Sequence, residues 1–451
     1  MVTSRRSALF FFLTTACILP ACGNKGSDAG DAGSDTDADT DTGVDAGDTD
    51  ADAGANRAAI GVSTGSFHTF AVIEGGDVKC WGDQQWGELG YGLDLDSLPG
   101  ADISLPSTLP FVDIGSSVSQ IEAGVNHTCA LLADGTAKCW GADGEAGVLG
   151  VHVTNASDTI GLYDVPGDYA PIDFGVPILD ISTGGPETCV VLQGGDVVCF
   201  GGGLLGYAAG KGYDVDDPQG SDAVDLGGSA TQVSAGLDHI CAVLENGDVL
   251  CWGAGGVGAL GYGNTDDVGD DEVPADVGPV DIGGPAVQVS CGDYHTCALL
   301  ETGDVVCWGL GDYGMLGYGN TEMIGDDETP ASVGPVDIGE AAKQVTTGAH
   351  HTCALLQSGD VKCWGQGANG HLGYGNTDDV GATNVPADVG FVDVGGLVTL
   401  IDAGMEHTCA LLSTGAIRCW GNGSYGRLGY GNEDIVGDDE TPAEAGDVPL
   451  L

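Results

Sequence analysis

Short apolar runs separated by glycine-containing turns recur along most of the chain. Residues 351–365 read HTCALLQSGDVKCWG, two runs rich in apolar and β-branched residues around the turn QSG. This pattern, with glycine placed for a positive φ, predicts a β-hairpin with a three-residue loop. Such a loop places Leu356 opposite Asp360. It also places Cys353 opposite Cys363, so the two cysteines share one face within reach of a disulfide.

The same hairpin pattern occurs seven times. The copies begin at His68, His127, Glu187, His239, His295, His351 and His407. They follow one another at steps of 52 to 60 residues. A period of this length, built only from strands and turns, predicts a propeller or a β-solenoid.

Each of the best copies contains about four short strands. Residues 335–345, PVDIGEAAKQV, give a strand VDI, a loop and a strand beginning at Gln344, and the hairpin gives two more. Four short strands per repeat is typical of a propeller blade. The first unit has no PVDIG strand of its own, whereas the chain ends in a segment that aligns with one. The sequence therefore predicts an all-β, seven-bladed β-propeller of about four-stranded blades, closed by a C-terminal strand, residues 448–451, that joins blade one.

The recurring motifs resemble the regulator of chromosome condensation repeat. G-x-x-H-T-x-A-L, G-x-V-x-x-W-G and G-x-L-G fit well in the copies from His68, His239, His295, His351 and His407. The second copy has one extra residue before Leu149, and the third has Glu187 in place of His and Phe200 in place of Trp. Members of that family are seven-bladed propellers, so the resemblance implies this fold. It leaves the function open, because one fold hosts many functions.

Residues 1–22 have the features of a bacterial lipoprotein signal peptide. Arg5 and Arg6 form a basic region, and residues 8–19 are too short for a membrane span but suit a signal-peptide apolar region. The following LPAC resembles a lipobox, in which Cys22 is the acylated first residue of the mature protein. An ordinary secretory signal is the alternative. We therefore expect an exported outer-membrane or cell-surface lipoprotein, with a periplasmic or secreted protein as alternatives.

Residues 23–57 are rich in Asp and Gly and contain almost no side chain that could be buried. This composition predicts an extended, disordered tether. Residues 58–451 then form the propeller, and seven units account for all of them. We expect a monomer that meets the membrane only through its N-terminal lipid anchor.

Cysteine usage indicates an oxidising compartment. Twelve of the 16 cysteines form six pairs ten residues apart. The pairs are Cys129 with Cys139, Cys189 with Cys199, Cys241 with Cys251, Cys297 with Cys307, Cys353 with Cys363 and Cys409 with Cys419. Hairpin-spaced pairs predict six disulfides.

A zinc site is the rival interpretation of these pairs, and it fails because no second pair of ligands lies near any of them. Two further cysteines have no partner at this spacing. Phe70 stands where a partner for Cys80 would be, and Cys291 is an extra cysteine. Both are therefore expected to be free thiols.

Residues that repeat with the scaffold are interpreted as structural. We expect each recurring histidine to tie its own turn by a side-chain hydrogen bond. The tryptophans of CWG, with Phe200, are expected to pack within the blades. The tyrosines of the LGYG motif are also expected to be structural; they are Tyr91, Tyr262, Tyr318, Tyr374 and Tyr430.

An acidic motif, GDDE, recurs at residues 269–272, 325–328 and 437–440. Clustered carboxylates can bind Ca²⁺, and Asp270, Asp271 and Glu272 are the weak calcium candidates. Solvated acidic loops are commoner, and the sixth unit has GATN instead. No metal and no cofactor is therefore expected.

The formal net charge of −57, from 68 acidic and 11 basic residues, narrows the possible functions. Phosphate backbones would be repelled, which argues against nucleic-acid binding. The chain has no nucleophile elbow, phosphate-binding loop or HExxH motif. We therefore expect a binding protein and not an enzyme.

Aromatic residues that depart from the repeat are the binding candidates. The position before the first glycine of G-x-L-G is Trp86, Tyr313 and Tyr425 in three copies, and Val257 and Asn369 in two others. These positions are expected to share one rim, and aromatic anchors on a rim are typical of a protein-binding face.

Two long irregular connections, residues 93–110 and 151–175, add non-repeating surface with Tyr163 and Tyr169. The expected function is an extracytoplasmic interaction scaffold whose partner is a protein or a surface glycan. A structural envelope component without a discrete ligand is the alternative. An exchange-factor-like regulator of a GTPase is a further alternative that fits export poorly.

Overall fold

A computed structural model describes residues 57–92, 102–143, 147–151, 153, 159–207 and 218–451. The predicted signal peptide, Cys22 and all but the last residue of the predicted tether lie outside the described residues. Within the described ranges, no helix is long and apolar enough to cross a membrane.

The described chain forms seven small antiparallel sheets, which agrees with the predicted all-β class. Sheet one contains β1 (Ala59–Thr64), β2 (His68–Ile73) and β3 (Asp77–Gly82), and sheet two contains β4 (Val118–Ala123), β5 (His127–Leu132), β6 (Ala137–Ala142) and β7 (Thr159–Ile160). Sheet three contains β8 (Ile178–Thr183), β9 (Glu187–Leu192) and β10 (Val197–Gly201), and sheet four contains β11 (Ala230–Ala235), β12 (His239–Leu244) and β13 (Val249–Gly253). Sheet five contains β14 (Ala286–Cys291), β15 (His295–Leu300) and β16 (Val305–Gly309), and sheet six contains β17 (Ala342–Thr347), β18 (His351–Leu356) and β19 (Val361–Gly365). Sheet seven contains β20 (Val398–Ala403), β21 (His407–Leu412) and β22 (Ile417–Gly421).

Helical structure in the described residues is limited to single turns. The α-helical turns are α1 (Pro274–Val277), α2 (Pro330–Val333) and α3 (Pro442–Ala445). The 3₁₀ turns are Pro106–Thr108, Pro166–Asp168, Pro218–Gly220, Asp312–Gly314, Ala368–Gly370, Pro386–Asp388 and Ser424–Gly426. A buried proline opens one such turn in each of the seven units, where a missing N–H costs nothing because the first amides of a helix have no intrahelical acceptor.

The hairpin register agrees with the prediction. Leu356 N donates to Asp360 O at 2.9 Å, and Gly359 has a φ of 90°. Cys353 lies directly opposite Cys363. The three-residue loop therefore sets the register that the sequence pattern predicts.

All six predicted cysteine pairs form disulfides, and each has a Cα–Cα distance of 4.1 Å. The disulfides join Cys129 to Cys139, Cys189 to Cys199, Cys241 to Cys251, Cys297 to Cys307, Cys353 to Cys363 and Cys409 to Cys419. The pairing holds even in the two least regular sheets, where Cys139 lies directly opposite Cys129 in sheet two and Cys199 directly opposite Cys189 in sheet three. In sheet one Phe70 faces Cys80, and Cys80 and Cys291 are buried free thiols.

The second strand of every sheet is buried along its whole length. This explains why these strands read as continuous apolar runs and not as alternating ones. The six tryptophans of the third strands are fully buried in one continuous apolar core: Trp81, Trp140, Trp252, Trp308, Trp364 and Trp420.

One predicted strand assignment is wrong. The VDI segment does not open its own unit, because its first amide bonds the third strand of the preceding sheet: Val112 N donates to Val78 O at 2.9 Å. Sheet one therefore has this outer segment. The C-terminal segment likewise belongs to sheet seven, where Val448 N donates to Ile417 O at 2.8 Å, and it does not join sheet one. The sequence pattern identified the extended segment, but not which neighbour it would pair with.

Contact between the first and last sheets is made by other residues. Ala59 N donates to Gly415 O at 3.1 Å, and Thr64 N donates to Asp402 Oδ2 at 2.6 Å. These bonds connect β1, the first described strand, with sheet seven.

A glycine follows the first strand of each sheet, at a point where the sheets approach closely. A Cβ atom on each of these glycines would lie 2.1 to 2.9 Å from the carbonyl oxygen of the next one. The contacts run in the order Gly65, Gly124, Gly184, Gly236, Gly292, Gly348, Gly404 and back to Gly65. Only glycine allows backbones to approach this closely. The same turns surround the narrow end of a central cavity, and the first strands line its wider part.

The recurring histidines join neighbouring sheets, and the expectation that each ties its own turn is wrong. His351 Nε2 lies 2.8 Å from Thr408 Oγ1 in the next sheet. Equivalent contacts of 2.8 to 3.1 Å join His68 to Thr128, His127 to Thr188, His239 to Thr296, His295 to Thr352 and His407 to Thr69. Burial lowers the pKa of His127 and His239 to about 4, so these rings are neutral at physiological pH.

We predict that Gly404→Ala destabilises the protein by about 1–3 kcal/mol, because overpacking forces the backbone apart. The new Cβ would lie 2.1 Å from Gly65 O, across the contact between the last and first sheets. Chemical denaturation followed by circular dichroism measures the change.

Gly390→Ala is the matched control. A Cβ there meets no atom within 4 Å, and Gly390 does not have a positive φ. This variant should be neutral or slightly more stable, because alanine reduces the freedom of the unfolded chain. Equal stability of the two variants would contradict the close approach at Gly404.

Candidate binding face

One end of the molecule carries the turns between the first and second strands of the sheets, together with the crossovers that follow the third strands. Aromatic side chains are concentrated in these turns in sheets five, six, seven and one. We call this group the aromatic arc; it consists of Tyr294, Tyr313, His350, Tyr425, Phe67 and Trp86. Three of its members have large exposed side chains, with Trp86 at 45%, Tyr313 at 43% and Tyr425 at 50% exposure.

Where sheet seven meets sheet one, a buried arginine holds two rings of the arc. The rings of Phe67 and Tyr425 pack edge to face with centroids 5.7 Å apart. The guanidinium of Arg427 lies 5.0 Å from the Phe67 ring centroid and 5.8 Å from that of Tyr425. Arg427 is almost fully buried; its Nη1 donates to Ser66 O at 2.9 Å and lies 3.7 Å from Glu406 Oε2. A cation held under two rings fixes their positions before any partner arrives.

A second group lies where sheet five meets sheet six. The ring of His350 stacks on Tyr294 at 6.1 Å and meets the Tyr313 ring edge-on at 5.9 Å. Partial burial lowers the pKa of His350, with Glu406 acting in the opposite direction. His350 is therefore mainly neutral near pH 7 and supports two aromatic rings.

Trp86 lies above a buried acid. Trp86 N donates to Glu88 Oε2 at 2.8 Å, and Glu88 is 2% exposed. The carbonyl of Glu88 accepts hydrogen bonds from Thr128 Oγ1 at 3.2 Å and from Trp140 Nε1 at 2.7 Å. Burial raises the pKa of the Glu88 carboxyl to about 7. The crossover that presents Trp86 is thus fixed to sheet two.

Two tyrosines of the arc have an unfavourable backbone conformation. In the described chain, the non-glycine residues with positive φ are Tyr313 at 57°, Asn369 at 53° and Tyr425 at 61°. All three occupy the same position of their repeats. Asparagine tolerates this conformation, whereas other side chains pay about 1–2 kcal/mol for it. Tyrosine at this position is therefore not explained by local backbone stability.

The other two predicted aromatics, Tyr163 and Tyr169, differ in exposure. Tyr163 is 77% exposed, in the loop whose Gly161 O accepts from Gly92 N of the first crossover. Tyr169 is half-buried, and its hydroxyl donates to Asp164 Oδ2 at 2.5 Å. Both stay binding candidates; Tyr163 presents a largely exposed ring, whereas the hydroxyl of Tyr169 is bonded within its own connection.

Sequence reasoning missed Phe67, Tyr294, His350 and the buried Arg427. The first three occupy the position just before the recurring histidine, which varies between copies: Phe67, Asn126, Pro186, Asp238, Tyr294, His350 and Glu406. The criterion that identified Trp86 would have identified them, had it been applied at this second variable position.

The repeated tyrosines of LGYG are structural, as expected. Tyr374 OH donates to Cys363 O at 3.0 Å and accepts from Cys363 N at 3.1 Å. The same pair of bonds connects Tyr91 to Cys80, Tyr262 to Cys251, Tyr318 to Cys307 and Tyr430 to Cys419. These tyrosines fix the crossovers that carry the arc.

The acidic loops bring carboxylates together three times. One oxygen from each of Asp270, Asp271 and Glu272 lies within 4.8 Å of the others, and the loops at 326–328 and 438–440 have the same arrangement. Neighbouring aspartates raise the pKa of Glu272, with hydrogen bonding to Asp271 as the first cause. The loops are largely solvent-accessible, and of the unpaired buried polar groups in the described chain none lies in them.

Two family models match the chain, both described as the regulator of chromosome condensation (RCC1) repeat. One matches residues 118–146, 230–259, 286–314, 342–370 and 398–427. The other matches residues 75–131, 246–299, 302–355 and 358–411. Together they cover more than half of the chain.

Curated relatives carry the same repeats. The ultraviolet-B receptor UVR8 of Arabidopsis thaliana is 34% identical over 261 residues, which is 56% of this chain and 56% of that protein. The E3 ubiquitin-protein ligase HERC2 of Homo sapiens is 30% identical over 200 residues, 44% of this chain and 4% of that protein. The matched part is thus less than two thirds of either relative.

Solved structures show the same fold at low identity. Prp20p of Saccharomyces cerevisiae, studied for its binding to Gsp1p and histones, aligns with a TM-score of 0.59 at 20% identity, over 77% of this chain and 81% of that chain. Human WBSCR16 aligns with a TM-score of 0.60 at 20% identity, over 74% of this chain and 84% of that chain.

We predict that Glu88→Gln changes how stability depends on pH. A raised pKa means that the folded protein favours the protonated acid. The protonated acid therefore contributes fully to the free energy of unfolding below its ordinary pKa of 4.5, and this contribution is lost as the pH rises through about 7. The variant cannot ionise, so at pH 8 it should be more stable than the wild type by roughly 3 kcal/mol. Urea denaturation at pH 5 and pH 8 measures both values.

Glu301→Gln makes the same chemical change at an exposed carboxyl in a hairpin turn and serves as the control. Its stability relative to the wild type should be the same at both pH values. A Glu88→Gln difference that does not grow between pH 5 and pH 8 would show that Glu88 is ionised throughout.

Proposed function

Because the chain belongs to the regulator of chromosome condensation repeat family, we propose that it is a closed seven-bladed propeller that binds a protein partner through the aromatic arc. The ring of glycine contacts that returns from Gly404 to Gly65 supports closure. So does the hydrogen bond between His407 and Thr69, which continues the histidine–threonine contacts from sheet seven to sheet one.

The observation that carries the binding proposal is the placement of Tyr313 and Tyr425. Both are exposed, and both hold a left-handed backbone that Asn369 adopts at the same repeat position. Strained residues that local stability does not explain are concentrated at functional sites. Exposed aromatic rings that are already fixed lose little entropy on binding, and such rings are common hot spots of protein interfaces.

Charge favours a partner with a basic surface. The arc lies among acidic side chains, including Asp83, Asp312 and Glu406, on a chain with a net charge of −57. Opposite charge speeds association and orients the partner. Prp20p is described as binding Gsp1p and histones. A basic protein would suit this chain electrostatically, whereas a nucleic acid would not.

Attachment outside the cytoplasm completes the proposal. The lipobox-like LPAC would place an acylated Cys22 at the membrane, and residues 23–57 would separate the propeller from it. Six disulfides suit an oxidising compartment. The protein would then act as an anchored, monomeric interaction scaffold. A structural envelope component without a discrete partner is the competing function.

We predict that the double variant Tyr313→Asn with Tyr425→Asn weakens partner capture without unfolding the protein. Asparagine removes the aromatic anchors and relieves the backbone strain, so stability should change by less than about 1 kcal/mol. The immobilised wild type and the variant are each incubated with solubilised native envelope. The bound proteins are then quantified by mass spectrometry at low and moderate salt.

Phe391→Ala is the matched control, because Phe391 is also an exposed aromatic, at 49% exposure, but lies on the outer edge of sheet six. A protein recovered with the wild type and Phe391→Ala, but reduced at least tenfold with the double tyrosine variant, supports the arc. Identical recovery with all three would reject it, and recovery of glycan alone would replace the protein partner.

We also predict that Cys22→Ser abolishes incorporation of labelled palmitate and releases the protein from the membrane fraction. Serine cannot form the thioether that carries the lipid. Cys17→Ser, five residues earlier in the apolar region, should still be labelled and membrane-bound. An unlabelled wild-type protein would identify an ordinary secretory signal.

A further inference from the structure

The wall of the central cavity has a regular part, in which side chains of one sheet bind the backbone of the next. Gln344 Nε2 donates to Ile401 O at 2.7 Å, and Gln344 Oε1 accepts from Ile401 N at 3.1 Å. Gln232 and Gln288 make the same pair of bonds to the following sheet. In this part of the wall, each glutamine amide is hydrogen-bonded to the backbone of the following sheet.

The wall is different from sheet seven to sheet three. The position equivalent to Gln344 is Leu400 in sheet seven, Gly61 in sheet one, Gln120 in sheet two and Asp180 in sheet three. Two residues later along the same strands lie Asp402 in sheet seven and Glu122 in sheet two. Glu122, Asp180 and Asp402 therefore all line a cavity of about 290 Å³. No lysine, arginine or histidine is among the described residues that line it. Glu122 and Asp402 are only partly buried and can be reached from the cavity.

Hydrogen bonds from the protein reach these acids unequally. Asp180 Oδ2 accepts from Val233 N at 3.0 Å, whereas Glu122 Oε1 and the other oxygen of Asp180 both contact the amide of Gln120. Gln120 Nε2 lies 3.1 Å from Glu122 Oε1 and 3.1 Å from Asp180 Oδ1. It also lies 3.3 Å from the carbonyl oxygen of Ile181. An amide nitrogen has two hydrogens, so three acceptors compete for them. Two carboxylates thus share a single amide, and a further hydrogen-bond donor between them would be stabilising.

A threonine next to the acids also lacks a partner. Thr64 Oγ1 donates to Asp402 Oδ2 at 2.8 Å, across a sheet boundary. Thr183 holds the equivalent position after Glu122, but its Oγ1 has no hydrogen-bond partner although the residue is 9% exposed. Glu122 is instead directed to Gln120. Thr183 lines the narrow end of the cavity. An unpaired buried hydroxyl costs about 1–3 kcal/mol, so a ligand that hydrogen-bonded to it from the cavity would be stabilised.

Electrostatics agrees with an uncompensated negative site. Burial, with Asp402 as a neighbouring charge, raises the pKa of Glu122 well above its usual value. Burial raises the pKa of both Asp180 and Asp402 to about 6. A cation in the cavity would stabilise the ionised form of these carboxyls, which burial disfavours.

The geometry favours an organic cation over a bare metal ion. Three-carboxylate sets with oxygens within 4.8 Å of one another occur in the described chain only in the surface Gly-Asp-Asp-Glu loops. The acids of the cavity are spread over three sheets and separated by the Gln120 amide. An ammonium group donates three hydrogen bonds to separate acceptors, and a carbon chain fills volume that a single metal ion would leave open.

We propose that the central cavity binds a small organic cation with primary ammonium groups, held by Glu122, Asp180 and Asp402. Binding neutralises the shared charge, and one ammonium supplies the donor that Gln120 cannot provide. The proposal concerns the cavity wall and does not depend on the aromatic arc.

Isothermal titration of the full mature chain with putrescine, in 150 mM salt at pH 7.5, tests this site. The wild type should bind one equivalent. The double variant Glu122→Gln with Asp402→Asn should weaken binding at least tenfold while still unfolding cooperatively, because both amides are nearly the same size as the acids they replace.

The double variant Asp270→Asn with Asp271→Asn removes the same charge from the surface and should bind within twofold of the wild type. The calcium ion has the same charge as doubly protonated putrescine, and added calcium chloride should not displace putrescine. Absence of binding to the wild type, equal binding to the cavity variant, loss of binding in the surface variant or displacement by calcium would each overturn the proposal.

Discussion

Each sheet of this protein depends on the next sheet to satisfy its buried polar groups. His407 Nε2 donates to Thr69 Oγ1 in sheet one, and Thr69 Oγ1 donates in turn to Arg427 O in the last crossover. Trp81 Nε1 donates to the same carbonyl at 2.9 Å. Because an unpaired buried polar group costs about 1–3 kcal/mol, removing one partner while the sheets stay packed would be destabilising. The glycines at the narrow end of the cavity allow the approach that these bonds require.

The third and fourth sheets show that the two ends of this interaction change together. Glu187 replaces the histidine of sheet three, and Ile240 replaces the threonine that would have faced it. Burial raises the pKa of Glu187 well above its usual value, and its Oε1 has no hydrogen-bond partner. A neutral acid against an apolar neighbour costs less than a buried charge, which makes this exception tolerable.

The sequence predicted local features better than those that depend on the neighbouring sheet. The hairpin register and the pairing of Cys353 with Cys363 follow from loop length alone. The outer strand at Val448 was assigned to the wrong sheet, because an extended segment has the same pattern whichever edge it joins. Trp86 and Tyr425 were found as departures from the repeat. Arg427 was missed because a charged residue gives no sequence signal of burial when the rings and carbonyls that accept it come from another sheet.

The boundary between the last and first sheets departs from the repeat in the residues that join the two sheets. In the regular sheets the cavity-facing glutamines hold the neighbouring backbone and cannot be changed without loss of that contact. At this boundary Leu400 and Gly61 replace glutamine, and the contact is held by Asp402 with Thr64 and by Arg427 with Ser66 instead. Of the three cavity acids, Asp402 belongs to this boundary, whereas Glu122 and Asp180 lie in sheets two and three. The same arginine holds the rings of Phe67 and Tyr425 on the outer face, so this boundary contributes residues to both candidate sites.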